Sequence, residues 1–167
     1  MTGMKARRGA FFVNGHGRNQ RGVAAIEFAV LLPVLVLVLA LTLLFSRIFW
    51  HYTVAQKAAH DAAIMLANAT VLEISTKKPD FTVIEIAKLA MNIAEEEVAE
   101  LNPGGGRPYV EVFCDNGACL GDAIPAQVRV QVRINMVDSF FAGFTDTIVS
   151  RDGLVLRANV TMPYVGG

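Results

Sequence analysis

Residues 18–50, RNQRGVAAIEFAVLLPVLVLVLALTLLFSRIFW, decide how this chain is read. From Phe28 to Phe45, eighteen residues pass without a charge. At about 1.5 Å rise per residue such a helix is ~27 Å long, close to the thickness of a bilayer's hydrocarbon core. Val23–Ile26 and Ile48–Trp50 can extend it on either side. Phe45, Phe49, Trp50 and Tyr52 collect at the far end, where aromatic side chains favour the membrane–water boundary. Lys5, Arg7, Arg8, Arg18 and Arg21 precede the run with no acid among residues 1–22, and only Arg47 stands near its end. The positive-inside rule then predicts a single transmembrane helix over residues 23–50, after a cytoplasmic basic leader over residues 1–22.

A cleaved secretory signal is the competing interpretation. Its apolar region is about seven to fifteen residues long, with a small-x-small site soon after it. Here the run is longer and bulky SRIFWHY follows it, while Ala67-Asn68-Ala69 comes too late to serve. The whole chain has 167 residues, enough for an anchor and one small domain. Its zero net charge argues against a nucleic-acid partner. That zero conceals an asymmetry: residues 50–167 carry nine basic and fourteen acidic residues, a net −5 opposite the basic leader.

The join between leader and span carries more information than the span. Gly22 closes the leader, Val23–Ile26 are apolar, Glu27 interrupts, and the run resumes at Phe28. A carboxylate at the centre of a membrane helix costs about 2.5–3.5 kcal/mol, and less near an end. Glu27 is therefore either an interfacial residue of little consequence or one kept for a purpose. Among the leader's glycines, Gly22 alone has an acid five residues downstream.

At these residues the chain resembles a family. GVAAIEFAVLLPVLVLVL is similar to the start of TadE-like pseudopilins of the tight-adherence (Flp-type) pilus machinery. The shared features are a glycine before the apolar segment, Ala25-Ile26-Glu27-Phe28-Ala29, and Pro33 soon after. The resemblance implies a minor pseudopilin of the bacterial inner membrane that helps to initiate or assemble a pilus. Its implied partners are a prepilin peptidase, other pilins or pseudopilins, and the assembly platform. It further implies an aspartic peptidase cutting on the cytoplasmic side between Gly22 and Val23, with Glu27 becoming the fifth residue of the processed chain.

Physical chemistry supplies a reason for that arrangement. A cut at Gly22 creates an α-amino cation on Val23. Where such helices pack side by side in low dielectric, this amine and the Glu27 carboxylate of a neighbour can neutralise each other and fix axial register. Pro33 removes one intrahelical hydrogen bond, which membrane helices tolerate, so its plain reading is structural, with a role in bundle packing as the alternative.

Beyond the span, residues 51–101 read as an extracytoplasmic helical region. Val54, Ala58, Ala62, Met65 and Ala69 recur at helical steps, so the membrane helix is expected to continue until Lys77-Lys78-Pro79 breaks it. A second helix is expected over Phe81–Leu101, capped by Asp80, with Glu95, Glu96, Glu97 and Glu100 forming a solvated acidic end that opposes the helix dipole. Residues 102–167 read as a small antiparallel β region opened by Asn102-Pro103-Gly104-Gly105-Gly106, with a hairpin over 109–136. Alternation over Tyr109–Phe113, Gln127–Met136 and Leu154–Met162 predicts three half-buried strands. Residues Val137–Ser150, with Phe140, Phe141 and Phe144, show no clear period. The fold class expected is thus α+β, a long N-terminal transmembrane helix running into a pilin-like periplasmic domain.

The two cysteines, Cys114 and Cys119, flank Asn116-Gly117, a strong two-residue hairpin signal. That turn would pair Asp115 with Ala118 and set the cysteines across the next rung, within disulfide reach. A disulfide stapling the hairpin tip is expected in an oxidising compartment, and a metal site lacks further ligands. His51 and His60 read as surface residues. Phosphate loops, dinucleotide fingerprints and hydrolase motifs are not found, so neither cofactor nor enzymatic activity is expected. The alternative function is an uncleaved, membrane-anchored periplasmic module that binds a ligand or serves an envelope complex.

Overall fold

A computed structural model describes residues 20–76, 83–137 and 153–166. The chain is α+β. Three helices come first, α1 (Gln20–Ala67), α2 (Val71–Ser75) and α3 (Glu85–Val98). Four strands follow, β1 (Tyr109–Cys114), β2 (Gly117–Ala118), β3 (Gln127–Met136) and β4 (Leu154–Pro163). The chain forms two compact units that part after Leu39.

The first unit is, in its described part, the N-terminal stretch of α1. Its side chains meet no core: Ile26, Phe28, Val30, Leu31 and Leu35 all stand well exposed. An apolar surface of that extent does not persist in water and belongs in lipid or against another helix. Among the described residues this is the one helix long and apolar enough to cross a membrane, with a mean hydropathy of 3.0.

The second unit, Ala40–Gly167, packs helices on one face of an antiparallel sheet of order β2-β1-β3-β4. Strict alternation puts Val128, Val130, Val132 and Ile134 inward on β3, each fully buried, and Val110 and Val112 beside them on β1. Facing them is a stripe of small residues on α1, Ala55, Ala58, Ala59, Ala62 and Ala63, and a second on α3, Ala87, Ala90 and Ala94. Small side chains let the backbones approach closely, and among the described residues Leu66, Ile74 and Ile84 are the largest fully buried side chains outside the sheet.

Helix α1 stops ten residues before the expected Lys77-Lys78-Pro79 break. The Asn68 side chain donates back to the Ile64 carbonyl at 2.8 Å, and Thr70 then starts a new helix through a capping box. The Thr70 hydroxyl accepts from the Glu73 amide while the Glu73 carboxylate accepts from the Thr70 amide at 2.8 Å. The second long helix begins at Glu85, later than the expected Phe81, with Ile84 as its N-cap. Asp80, the expected cap, lies outside the described residues, as do residues 138–150 of the aperiodic segment.

The three expected strands are present and β2 adds a fourth. The glycine run after α3 closes against the end of β3. The Val137 amide donates to the Pro103 carbonyl at 2.7 Å, and Gly104 bridges Met136 with φ +79°. A Cβ on Gly105 would stand 2.3 Å from the Asn135 carbonyl oxygen, so this approach is open only to glycine. After β4 the chain returns to α1: the Val165 amide donates to the Ala67 carbonyl and the Tyr164 hydroxyl to the Ala69 carbonyl, at 3.0 and 2.7 Å. Both carbonyls lie where the helix has run out of its own donors.

Candidate functional site

Gly22, Val23, Glu27, Phe28 and Pro33 all lie on α1. Glycine within a helix costs about 1 kcal/mol relative to alanine, so a fold reason for Gly22 would have to be a close neighbour or a positive φ. Neither exists: a Cβ there would meet nothing within 4 Å, and Gly22 is not among the residues of positive φ. One helical turn after Val23, Glu27 is exposed, and no ion pair to it occurs among the described residues. Phe28 is 62% exposed beside it. Pro33 stands inside α1 without ending the helix.

The expected disulfide between Cys114 and Cys119 is formed, with a Cα–Cα distance of 4.9 Å. The hairpin register is not the expected one. Phe113 pairs with Ala118 and Cys114 with Gly117, so the two turn residues are Asp115 and Asn116 rather than Asn116 and Gly117. Asp115 takes the left-handed conformation, φ 54°, which aspartate tolerates better than most residues. Long-range bonds hold it there. Its carboxylate accepts from the Ala126 and Gln127 amides at 2.9 and 3.0 Å, and its own amide donates to the Gln127 carbonyl at 2.8 Å. The tip of the hairpin is thereby pinned to the start of β3. Cys119 is buried, and its carbonyl accepts from the Ile84 amide at the start of α3.

His51 is buried, only 5% exposed, contrary to its reading as a surface residue. Its Nδ1–H donates to the Arg47 carbonyl one turn earlier at 2.7 Å, which leaves Nε2 buried with no hydrogen-bond partner among the described residues. Arg47 in turn donates to the Asn102 carbonyl beyond the end of α3, at 2.9 Å. His60 is exposed, as expected. On the neighbouring turn Lys57 lies 3.1 Å from both Asp61 and Glu97, tying α1 to α3. These hydrogen bonds raise the Lys57 pKa, that with Glu97 most, and the bond from Lys57 lowers that of Asp61. With Lys57 mostly exposed, such a pair adds little stability.

Residues 22–63 match the family model described as TadE-like protein, about a quarter of the chain. The match begins at Gly22, contains Glu27, Phe28 and Pro33, and ends among the buried alanines of α1. It associates this segment with the Tad pilus system. No curated protein and no solved structure matches the chain.

Proposed function

We propose that this chain is a minor pseudopilin, anchored in the bacterial inner membrane, that helps to initiate or assemble a Tad-type pilus. A prepilin peptidase removes the basic leader between Gly22 and Val23. The new amine of Val23 and the Glu27 carboxylate then pair between neighbouring helices. In this reading the N-terminus is cytoplasmic, the folded domain is periplasmic, and the chain is a substrate and scaffold rather than an enzyme.

The observation that carries the reading is Gly22. It occupies a helical position where the fold gives glycine no advantage, at the first residue of the family match, five residues before an exposed carboxylate. Glycine weakens the helix locally and so eases the extended backbone a protease needs. The Cys114–Cys119 bond supports an oxidising compartment for the folded domain.

Deleting the gene and counting pili tests the role. Loss of pili restored by the intact chain, and not by a Glu27→Gln copy present in the membrane at equal level, is the expected result. Normal piliation in the deletion strain would reject it.

A further inference from the structure

We infer that the outward face of the sheet docks on the acidic end of α3 of a second copy, so that copies join head to tail. The inference concerns the Ala40–Gly167 unit and does not rest on cleavage of the leader.

The strand register builds the first surface. It places Tyr109, Arg133 and Arg157 side by side across β1, β3 and β4, Glu111, Gln131 and Asn159 two residues along, and Phe113, Arg129 and Thr161 two residues further. All face away from the buried valines. Arg129 lies over the Phe113 ring, 4.6 Å from its centroid. The one acid in the three rows, Glu111 of the middle one, stands 3.5 Å from Arg133. Arg157 is exposed, directly opposite Arg133, and no ion pair to it occurs among the described residues. Like charges opposed across a rung disfavour the sheet, and of the two arginines only Arg133 has an acid beside it among the described residues, so Arg157 is without benefit to a single copy on this face.

The second surface lies across the sheet. Helix α3 covers the inward face with its alanines, leaving Glu95 and Glu96 exposed in its last turn and Glu100 exposed just past it. Carboxylates there oppose the helix dipole, again without benefit to a single copy. Glu95 and Glu96 line an open groove with Asn92, Asn102 and Arg107, yet no ion pair joins Arg107 to either among the described residues.

The two surfaces are opposite in charge and separated by the sheet, so they cannot meet within one copy. Between copies they match in sign. Arg133 and Arg157, opposed across an antiparallel rung, have Cβ atoms about 4.5–5.5 Å apart, so they present two guanidinium groups together. Paired guanidinium–carboxylate bonds are the strongest of the charge-assisted kind. Arginine beside an exposed tyrosine is also the composition that recurs in protein interfaces, and Tyr109 is 58% exposed. Because the two surfaces differ, the contact is heterologous and repeats as a row when it does not close into a ring.

The test uses the full chain in its own membrane, with a photo-crosslinking residue at Asn159, on the outward face beside Gln131. Illumination should give an adduct of two copies whose linked peptide contains Glu95–Glu100. R133E/R157E should lower the adduct yield by about tenfold or more, and E96R/E100R likewise, as expected for juxtaposed like charges. All four changes in one chain should restore it, which separates a lost contact from a lost fold. Adducts only with lipid or with another protein, linkage elsewhere on the chain, indifference to the reversals, or no recovery in the fourfold variant would each overturn the inference.

Discussion

The backbone N–H of Ile84, which caps α3, donates to the carbonyl of Cys119 at 3.0 Å. The disulfide loop is thus fastened to the start of a helix as well as to its own hairpin. Closing a loop this short stabilises by about 2 kcal/mol in the chain-entropy account. The Cys114→Ser, Cys119→Ser chain should lose about that much in urea unfolding, with faster hydrogen exchange at the Ile84 amide. An unchanged Ile84 amide would mean that α3 is held at its start by other contacts.

Asp115 joins the hairpin tip to β3 through two accepted amides and one donated one. Asp115→Ala removes the acceptor and puts an alanine at φ 54°, for a loss of about 1–3 kcal/mol. Asp115→Asn keeps an acceptor and tolerates the same backbone, so it should lose less than half as much. Equal losses by chemical denaturation would show that charge, and not conformation, dominates.

Thr70 begins α2, and Thr70→Ala should cost about 1 kcal/mol. The bonds from the Thr70 hydroxyl and then its amide hold the Glu73 carboxyl below its usual range, and the bond from Lys57 does the same to Asp61. Carboxylates lowered by folding contribute stability above their unfolded pKa and lose it as pH falls through the folded value. Stability should therefore decline from about pH 5 downward. A Glu73→Gln, Asp61→Asn chain should decline less steeply, and an unchanged slope would contradict these assignments.

Tyr164 returns the chain end to α1 through its hydroxyl on the Ala69 carbonyl. Tyr164→Phe keeps the ring and removes the donor, so a loss of about 1 kcal/mol is expected. No change in the unfolding midpoint would show that water replaces the hydroxyl there.

Local periodicity made most of the fold legible. The charge-free run announced α1, and the alternation of Val128, Val130, Val132 and Ile134 with polar residues announced β3 and its buried face. The Thr70-Val71-Leu72-Glu73 spacing is itself a capping-box signal, and reading it would have placed the end of α1 correctly. The hairpin register was not legible, because Asp115 is fixed by amides eleven and twelve residues away, while Asn116-Gly117 is a strong local signal for a different turn. His51 misled for a similar reason: its polarity suggested solvent, whereas the Arg47 carbonyl satisfies one ring nitrogen and packing covers the other. In the candidate segment, the sequence located Gly22 and Glu27, and the structure added that the fold has no need of a glycine at that point.

Processing at Gly22 is the claim on which the functional reading depends. The N-terminus and mass of the chain, measured from cells with and without the prepilin peptidase, test it directly. The account predicts Val23 as the first residue when the peptidase is present and the intact leader when it is absent. An intact leader in both would contradict it and favour an uncleaved anchored module.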